Sequence, residues 1–473
     1  MRVPQGPPAA VHLNTLPARR PYDPHHDPLA DPSPGTGREY APTYWIASAG
    51  APPADDGPIA ADLDADVVVI GSGYTGLSCA IHLARDYGLS PVVLQANRVA
   101  WGCSTRNGGQ AQIGAGRLKR SEWITRWGLE TAQAMHAEIA EAFELFRALL
   151  AEHEIDCDPQ DGGHLHIAHL ERLMRKLELE SCLLNDLFQY PARILSSEQL
   201  RSEHVDEREA CGAMFEPDGV GVHAAKLAFG YLTLARRLGA RVHTGSPVLG
   251  WSTRSGRHLL ATPGGTVRAR AVAIATAAYT PPALHPLTRH RLLPVLSNSI
   301  VTRPLSSAER ASCGFRSQAF YTDTRTLRHY YRSLPDGRVQ IGSRSSITGA
   351  DAANPRHEKR LRDALARKFP ALVGIDIDYS WWGWVDVSHD LMPRIFQPDP
   401  VQTIYYALAY GGNGVMYSAQ AGRRLAQLVA GKGNLPPLPI FQSPLPSEGV
   451  LTPFRRLGQR VLYAWYHARD EAR

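Results

Sequence analysis

Lysine is scarce in this 473-residue chain. Only six of its 51 basic residues are lysine (119, 176, 226, 359, 368 and 432), which leaves 45 arginines. The arginines are scattered without a dense run, so the net charge of +6 does not describe a nucleic-acid-binding arm. Only a weak, non-specific attraction to polyanions follows from it. Cysteine is equally sparse. Cys79, Cys103, Cys157, Cys182, Cys211 and Cys313 form no CxxC and no regular spacing. That excludes a zinc knuckle or a disulfide framework and fits a reducing compartment. No apolar run approaches the ~18 residues that span a bilayer. The opening Met1-Arg2-Val3-Pro4 lacks the apolar core of a signal peptide, so a cytoplasmic location is expected. No internal repeat is visible. What is present is 44% hydrophobic and 20% charged residues, enough for two or three domains at ~100–200 residues each.

Residues 1–60 hold 13 of the 36 prolines. Stretches such as Asp31-Pro32-Ser33-Pro34-Gly35 cannot sustain a helix or a central strand, which predicts a mobile tail, with Tyr44, Trp45 and Ile46 docking on the body. The folded part opens with Asp66–Ile70, a continuous apolar run that reads as a strand buried on both faces. A glycine turn, a helix through Leu77, Ala80, Ile81 and Leu83, and a second buried strand at Pro91–Gln95 complete a βαβ-type unit. Further on, Met135, Ile139, Phe143, Phe146 and Leu150 fall at helical spacing. Strands are expected at 162–168, 241–243, 271–275, 327–332, 338–342 and 404–408, and helices at 224–237, through Leu361, Leu365 and Phe369, and from the glycine turn at 411–414 to about 429.

The strongest local motif is Gly71-Ser72-Gly73-Tyr74-Thr75-Gly76. It follows a buried strand, opens a helix and precedes a second strand, which is the context of a dinucleotide fingerprint. Gly71 permits the tight turn, Gly73 lets the backbone approach a pyrophosphate, and Gly76 lets helix and strand pack closely. The helix N-terminus offers free N–H groups to the phosphates. The second strand ends at Gln95, where an acidic residue usually receives the ribose hydroxyls. Its amide oxygen can accept, but without charge assistance.

NAD and FAD share this fingerprint. The segment Trp101-Gly102-Cys103-Ser104-Thr105-Arg106-Asn107-Gly108-Gly109-Gln110 resembles FAD-dependent amine and amino-acid oxidases of the D-amino-acid oxidase superfamily. The resemblance recurs in order at Gly245–Val248, Ala273–Thr280, Tyr330-Tyr331-Arg332 with Asp336-Gly337-Arg338, and Tyr410–Val415, and covers about residues 44–470. It is closest to the gamma-glutamylputrescine oxidoreductase branch, through Tyr-Thr-Gly-Leu-Ser at 74–78, the Ser-x-Arg-Asn-Gly-Gly-Gln segment, Ile155-Asp156-Cys157-Asp158 and Pro453-Phe454.

The resemblance implies a Rossmann-like, glutathione-reductase-like α/β FAD-binding domain interleaved with an antiparallel-sheet substrate domain. On that reading residues 1–43 are a disordered Pro-rich tail. Segments 62–160, 205–285 and 385–432 bind FAD, 161–204 and 286–384 bind substrate, and 433–473 form a C-terminal extension with a helix. It also implies oxidation of an amine C–N bond by hydride transfer to flavin, with a gamma-glutamylputrescine-like amine as substrate and a place in polyamine catabolism. A D-amino-acid or N-methylglycine-type oxidoreductase and a flavin-binding subunit without turnover are the alternatives. Residues 103–109, among them Cys103, Ser104, Arg106, Asn107, Gly108 and Gly109, would wrap the flavin and pyrophosphate, with Tyr74 and Thr75 beside them. Val248 would meet adenine, Ala277 and Ala278 would line the flavin, and Gly411, Gly412, Asn413, Gly414 and Val415 would bring a helix N-terminus to the pyrimidine ring. No histidine stands where some relatives attach flavin, and Cys103 reads as a small buried residue, so the FAD is expected to be non-covalent.

Arg332 is the first candidate for a substrate carboxylate, because it sits in Tyr-Tyr-Arg, where the amino-acid oxidases that the chain resembles place an arginine for that group, and its planar fork suits bidentate recognition. Pairing across a hairpin is its alternative. Tyr330 and Tyr331 alternate on a strand, so only one faces the site. Trp382, Trp384 and His389 could border the flavin or pack an interdomain core. His164, His166 and His169 form His-x-His-x-x-His, but no cysteine ligand is near and the segment matches a plain strand, so no metal is expected. Sarcosine-oxidase-like relatives place a lysine over the flavin to activate oxygen. Here none occurs between Lys226 and Lys359, so the acceptor is oxygen or a quinone or other carrier. The C-terminal run from Phe454 to Tyr466 is amphipathic and arginine-rich, suited to packing on the body or touching a membrane surface.

Overall fold

A computed structural model describes residues 20–447 and 449–471. Two eight-stranded sheets organise them. In the first, Leu63–Ile70 lies between Pro91–Leu94 and Gly265–Ile274, parallel to both. Arg241–His243 continues the parallel set beyond Pro91–Leu94, and Ile404–Leu408 joins the far side of Gly265–Ile274. Val68, Val69, Val92 and Val93 are fully buried, as a strand covered on both faces requires. The helix Tyr74–Tyr87 follows the first strand, and Tyr417–Ala430 packs against it. Gly422 makes that approach possible, because a Cβ there would lie 2.5 Å from Ser78 Cβ.

The second sheet runs in the order Ile377–Val387, Leu293–Thr302, Val339–Ser343, Tyr330–Ser333, Phe320–Asp323, His164–Ala168, Gly212–Glu216, Arg193–Ser196. All neighbours are antiparallel except Phe320–Asp323 with His164–Ala168. Gly212–Glu216, expected inside the FAD-binding segment 205–285, belongs here instead. It pairs antiparallel with His164–Ala168 and with Arg193–Ser196. A small third sheet joins Gln110–Gln112, Gly219–Gly221 and Gln160–Asp161.

The helices expected over 131–150 and 224–237 are Leu129–Glu152 and Ala224–Arg237. The Pro-rich tail differs from expectation. Residues 1–19 lie outside the described residues, but 20–43 are a strap bound to the body rather than a loose tail. Without a helix or named strand, it is held partly by its own turns and partly by side chains of the body that donate to its carbonyls. Trp382 Nε1 donates to Pro24 O (3.0 Å), Trp384 Nε1 to His26 O (2.8 Å), and Asn97 Nδ2 to Pro34 O (2.9 Å). Beyond it Tyr44 and Trp45 are buried in the short helix Tyr44–Ser48, and Trp45 Nε1 donates to Asn107 O (2.8 Å). Toward the C-terminus the helix Arg455–Glu471 lies outside both sheets.

Candidate functional site

The fingerprint turn is built as its glycines demand. Gly71 has φ +104, and a Cβ on it would stand 2.6 Å from Ala275 O. A Cβ on Gly76 would stand 1.9 Å from Gly71 O, so helix and turn touch backbone to backbone. Gly73 caps the helix without a side-chain bond, leaving its N-terminus open to an anion. Gln95 braces this turn, since its Oε1 accepts from Ser72 N (3.0 Å) and Ser72 Oγ (3.1 Å).

Two cavities meet at this turn. One is lined by Gly71, Gln95, Ser246, Val248, Trp251 and, from the strap, Pro32–Pro34. The other is lined by Tyr74, Thr75, Arg106, Asn107, Gly108, Tyr330, Asp386 and Gly412–Val415. They share Gly73, Cys103, Ser104, Ala275 and Ala277, so they form one bent space with the helix N-terminus at its waist. That shape fits a dinucleotide with its pyrophosphate at the waist. Ala277 holds φ +46 at the junction, a left-handed position that favours glycine or asparagine. Ala278 does not line the space; it packs with Trp101, Tyr279 and Trp384.

The wrapping segment is fixed from within. Tyr74 N donates to Ser104 Oγ (3.1 Å). Asn107 Nδ2 donates to Tyr74 OH (3.2 Å) and Cys103 O (3.1 Å), while its Oδ1 accepts from Gly109 N (2.8 Å). Arg106 donates to Trp101 O (2.9 Å) and lies over the Trp101 ring, 4.4 Å from its centroid. A Cβ on Gly108 would meet Tyr330 at 2.9 Å, and one on Gly109 would meet Val222 O at 2.1 Å. Burial pushes the Cys103 thiol up to about 12, which suppresses the thiolate needed for covalent attachment. Thr75 Oγ1 and Tyr410 OH, 2.8 Å apart, tie the first helix to the C-terminal glycine turn. That turn has Gly411 and Gly412 at φ +65 and +98 and opens the helix Tyr417–Ala430.

The substrate candidates divide. Tyr330 lines the cavity, its hydroxyl 2.9 Å from Ser297 Oγ and 2.8 Å from Ser299 Oγ. Tyr331 faces the other way, stacks on Tyr321 and donates to Glu207, and does not line the cavity. Arg332 is not in the cavity either. Its guanidinium donates to Gln160 Oε1 (3.0 Å) and Val222 O (2.6 Å) and lies over Trp45, where it props the 107–110 segment. Burial pushes it down to about 10. His389 is exposed on the turn after Ile377–Val387. Strand alternation turns Gly383 and Val385 inward, while Trp382 and Trp384 bind the strap.

Three arginines not singled out in the sequence line the cavity: Arg117, Arg328 and Arg344. Arg117 Nη1 (3.3 Å) and Arg344 Nη2 (3.0 Å) both donate to Gly411 O. Arg328 Nε is buried with no partner among the described residues. Burial, then repulsion from Arg344, holds Arg117 and Arg328 below the ordinary guanidinium value. Among 45 arginines no local pattern distinguishes these three. Asp386 is the one acid lining the cavity. Its carboxylate accepts from Ala409 N, and burial raises it from 3.8 to about 6.

Folded Asp386 keeps its proton up to about pH 6, whereas an unfolded aspartate keeps it to about pH 4. The stabilisation from this group is full below pH 4 and is lost as pH rises through 6. Calorimetric melting temperatures are therefore expected to decline across that window, and Asp386→Asn to flatten the decline. An unchanged slope in the variant would refute the assignment.

His169 departs from the other two histidines of its motif and bonds Asp470 O (2.9 Å). His164 and His166 do converge with Glu216, their ligand atoms within 4.8 Å. However, His166 Nε2 and Glu216 Oε2 are 2.6 Å apart, a direct hydrogen bond, and Arg120 Nη1 stands 3.9 Å from the same carboxylate. Glu216 thus already has a hydrogen-bond partner and a nearby guanidinium within the protein.

The family model described as "FAD dependent oxidoreductase" (DAO) matches residues 66–428. Gamma-glutamylputrescine oxidoreductase of Escherichia coli (strain K12) is 31% identical over 446 residues, 91% of this chain and 99% of that one. Among solved structures, glycine oxidase from Geobacillus kaustophilus superposes with a TM-score of 0.68 at 21% identity, covering 79% of this chain and 96% of that one. Iminodiacetate oxidase from Chelativorans sp. BNC1 gives 0.64 at 20% identity, covering 80% and 98%.

Proposed function

This chain belongs to the FAD-dependent oxidoreductase (DAO) family and is an FAD-dependent amine or amino-acid oxidoreductase, and from that premise we propose that its substrate is an amine carrying a distant carboxylate, of the gamma-glutamylputrescine kind. When bound, FAD supplies the acceptor for the hydride leaving the carbon next to nitrogen. The observation that carries the substrate reading is the orphaned Nε of Arg328 beside two further guanidiniums in a cavity with one acid. A buried donor without a partner is costly and is relieved by an incoming acceptor. The glutamyl carboxylate of such an amine is that acceptor. Positive potential from Arg117, Arg328 and Arg344 also disfavours an ammonium, so the amine enters neutral, the form able to release hydride. Tyr330 and Val385 bound the space in which it lies.

In this reading FAD is held by Gly71, Gly73, Tyr74, Thr75, Gly76, Gln95, Cys103, Ser104, Arg106, Asn107, Gly108, Gly109, Val248, Ala277 and Gly411–Val415. Segments 62–160, 205–285 and 385–432 form its domain, less the strand Gly212–Glu216. The enzyme works in the cytoplasm, and no lysine among the residues lining the cavity serves oxygen. A second reading, a D-amino-acid or N-methylglycine-type oxidoreductase, draws on the same guanidiniums, which also suit an α-carboxylate.

The test is anaerobic bleaching of the oxidised-flavin absorbance. Gamma-glutamylputrescine is expected to bleach the protein at least about a hundredfold faster than putrescine, the effect of losing one buried charge pairing. Readmitting air then separates oxygen from other acceptors. Equal rates with putrescine would remove the carboxylate from the reading, and faster bleaching by D-amino acids or N-methylglycine would install the second one.

A further inference from the structure

The helix Arg455–Glu471 is anchored along one side. Arg456 donates to Asp27 Oδ1 (2.8 Å) and Pro294 O (3.0 Å) and lies over Trp384. Asp470 accepts from Thr326 N (2.7 Å) and Leu327 N (3.2 Å), and Gln459 and Tyr463 between them are buried. At 100° per residue these positions share one face. Leu457, Val461 and Trp465 fall on the opposite face, with Phe454 just ahead of the helix. They are 58%, 63%, 53% and 62% exposed. The other exposed large hydrophobics among the described residues are scattered through the chain, apart from Leu462 on the same helix. Single exposed apolar residues need no explanation, but an ordered stripe does.

Charge frames the stripe. On the helical wheel Arg460 borders one edge, and Arg469, which donates to Thr326 Oγ1 and lies over the Trp465 ring, the other. The helix holds only two acids, Asp470, which faces the body, and Glu471 at its end. An apolar arc with cationic edges is the pattern of a helix lying in a membrane interface, its arginines reaching up to headgroups. We propose that this face docks on an anionic lipid bilayer, with the helix parallel to the surface. No helix among the described residues is long and apolar enough to cross a membrane, so the contact is one of lying on, not spanning. A second copy fits less well, because two such faces would bring like-charged edges together. Anionic headgroups complement those edges and the net charge of +6. The inference does not rest on the substrate reading.

The experiment floats the full-length, FAD-loaded protein with vesicles of phosphatidylcholine, with and without phosphatidylglycerol. Binding to the anionic vesicles is expected to be at least about tenfold tighter and to weaken as salt rises. Leu457→Glu with Val461→Glu should abolish flotation, and Arg460→Glu should reduce the preference for anionic lipid. Flavin absorbance and amine turnover should stay unchanged in both variants. Absence of flotation, or flotation that the double variant keeps, overturns the proposal. So does a dimer, seen by light scattering, that the double variant dissolves, which would assign the face to self-association.

Discussion

Gly76→Ala is expected to purify colourless. The added Cβ would sit 1.9 Å from Gly71 O, against backbone that no rotamer change can move. The helix must lift or the turn must shift, and either displaces Gly73 from the waist of the dinucleotide space. Overpacking of this kind costs about 1–3 kcal/mol in a well-packed interior. Because the strain falls on the cofactor cradle, FAD affinity should drop by about a hundredfold. The fold should persist, since the first sheet is held independently by its parallel pairings. Flavin-to-protein ratio and titration with FAD measure the first effect, and circular dichroism the second. A variant with wild-type colour and affinity would show that the backbone contact at Gly76 is not what shapes the cradle.

Arg328→Met should leave the colour and remove most of the activity. Arg117 and Arg344 donate to Gly411 O and so share in holding the C-terminal glycine turn, whereas Arg328 has its Nε committed to nothing among the described residues. Methionine keeps the length of the stem without the charge. Losing one partner of a buried, hydrogen-bonded charge pair costs about 2–5 kcal/mol, which corresponds to a fall in kcat/KM of about thirtyfold to several thousandfold. The fall should be confined to substrates with a carboxylate, and putrescine should be oxidised at a rate within about threefold of wild type. Equal losses on both substrates would mean that Arg328 supports the cavity rather than reading the substrate. Arg344→Met, by contrast, should lower FAD content and activity together.

The nucleotide-binding half was legible in the sequence because its signals are local. A buried strand, a glycine turn and a helix occupy adjacent residues, and Val67–Ile70 and Pro91–Leu94 are continuous buried apolar runs. The substrate half was less legible because its neighbours are distant in sequence. Phe320–Asp323 pairs with His164–Ala168, and nothing local announces that partner. Arg332 shows the limit of alternation as an argument. It shares a strand face with Tyr330, yet two residues along that strand the surroundings change from the cavity to Gln160 and Val222. The sequence can say which residues point the same way, but not what they meet. The strap was misread for a related reason. Proline-rich chain without periodicity looks loose, and the donors that hold it, such as Trp384 for His26, lie as much as 358 residues away.

Asp27 of the strap accepts from Arg456 of the helix Arg455–Glu471. The strap that lines the cavity through Pro32–Pro34 is thus latched by a helix 429 residues further along the chain. During synthesis the strap emerges well before that helix, and the nucleotide space keeps an open wall until the helix is made. Cofactor loading therefore has a natural window, between completion of the first sheet at Ile404–Leu408 and emergence of the helix Arg455–Glu471. A polypeptide stalled or truncated before Arg455 would carry the whole fingerprint and still lack its latch.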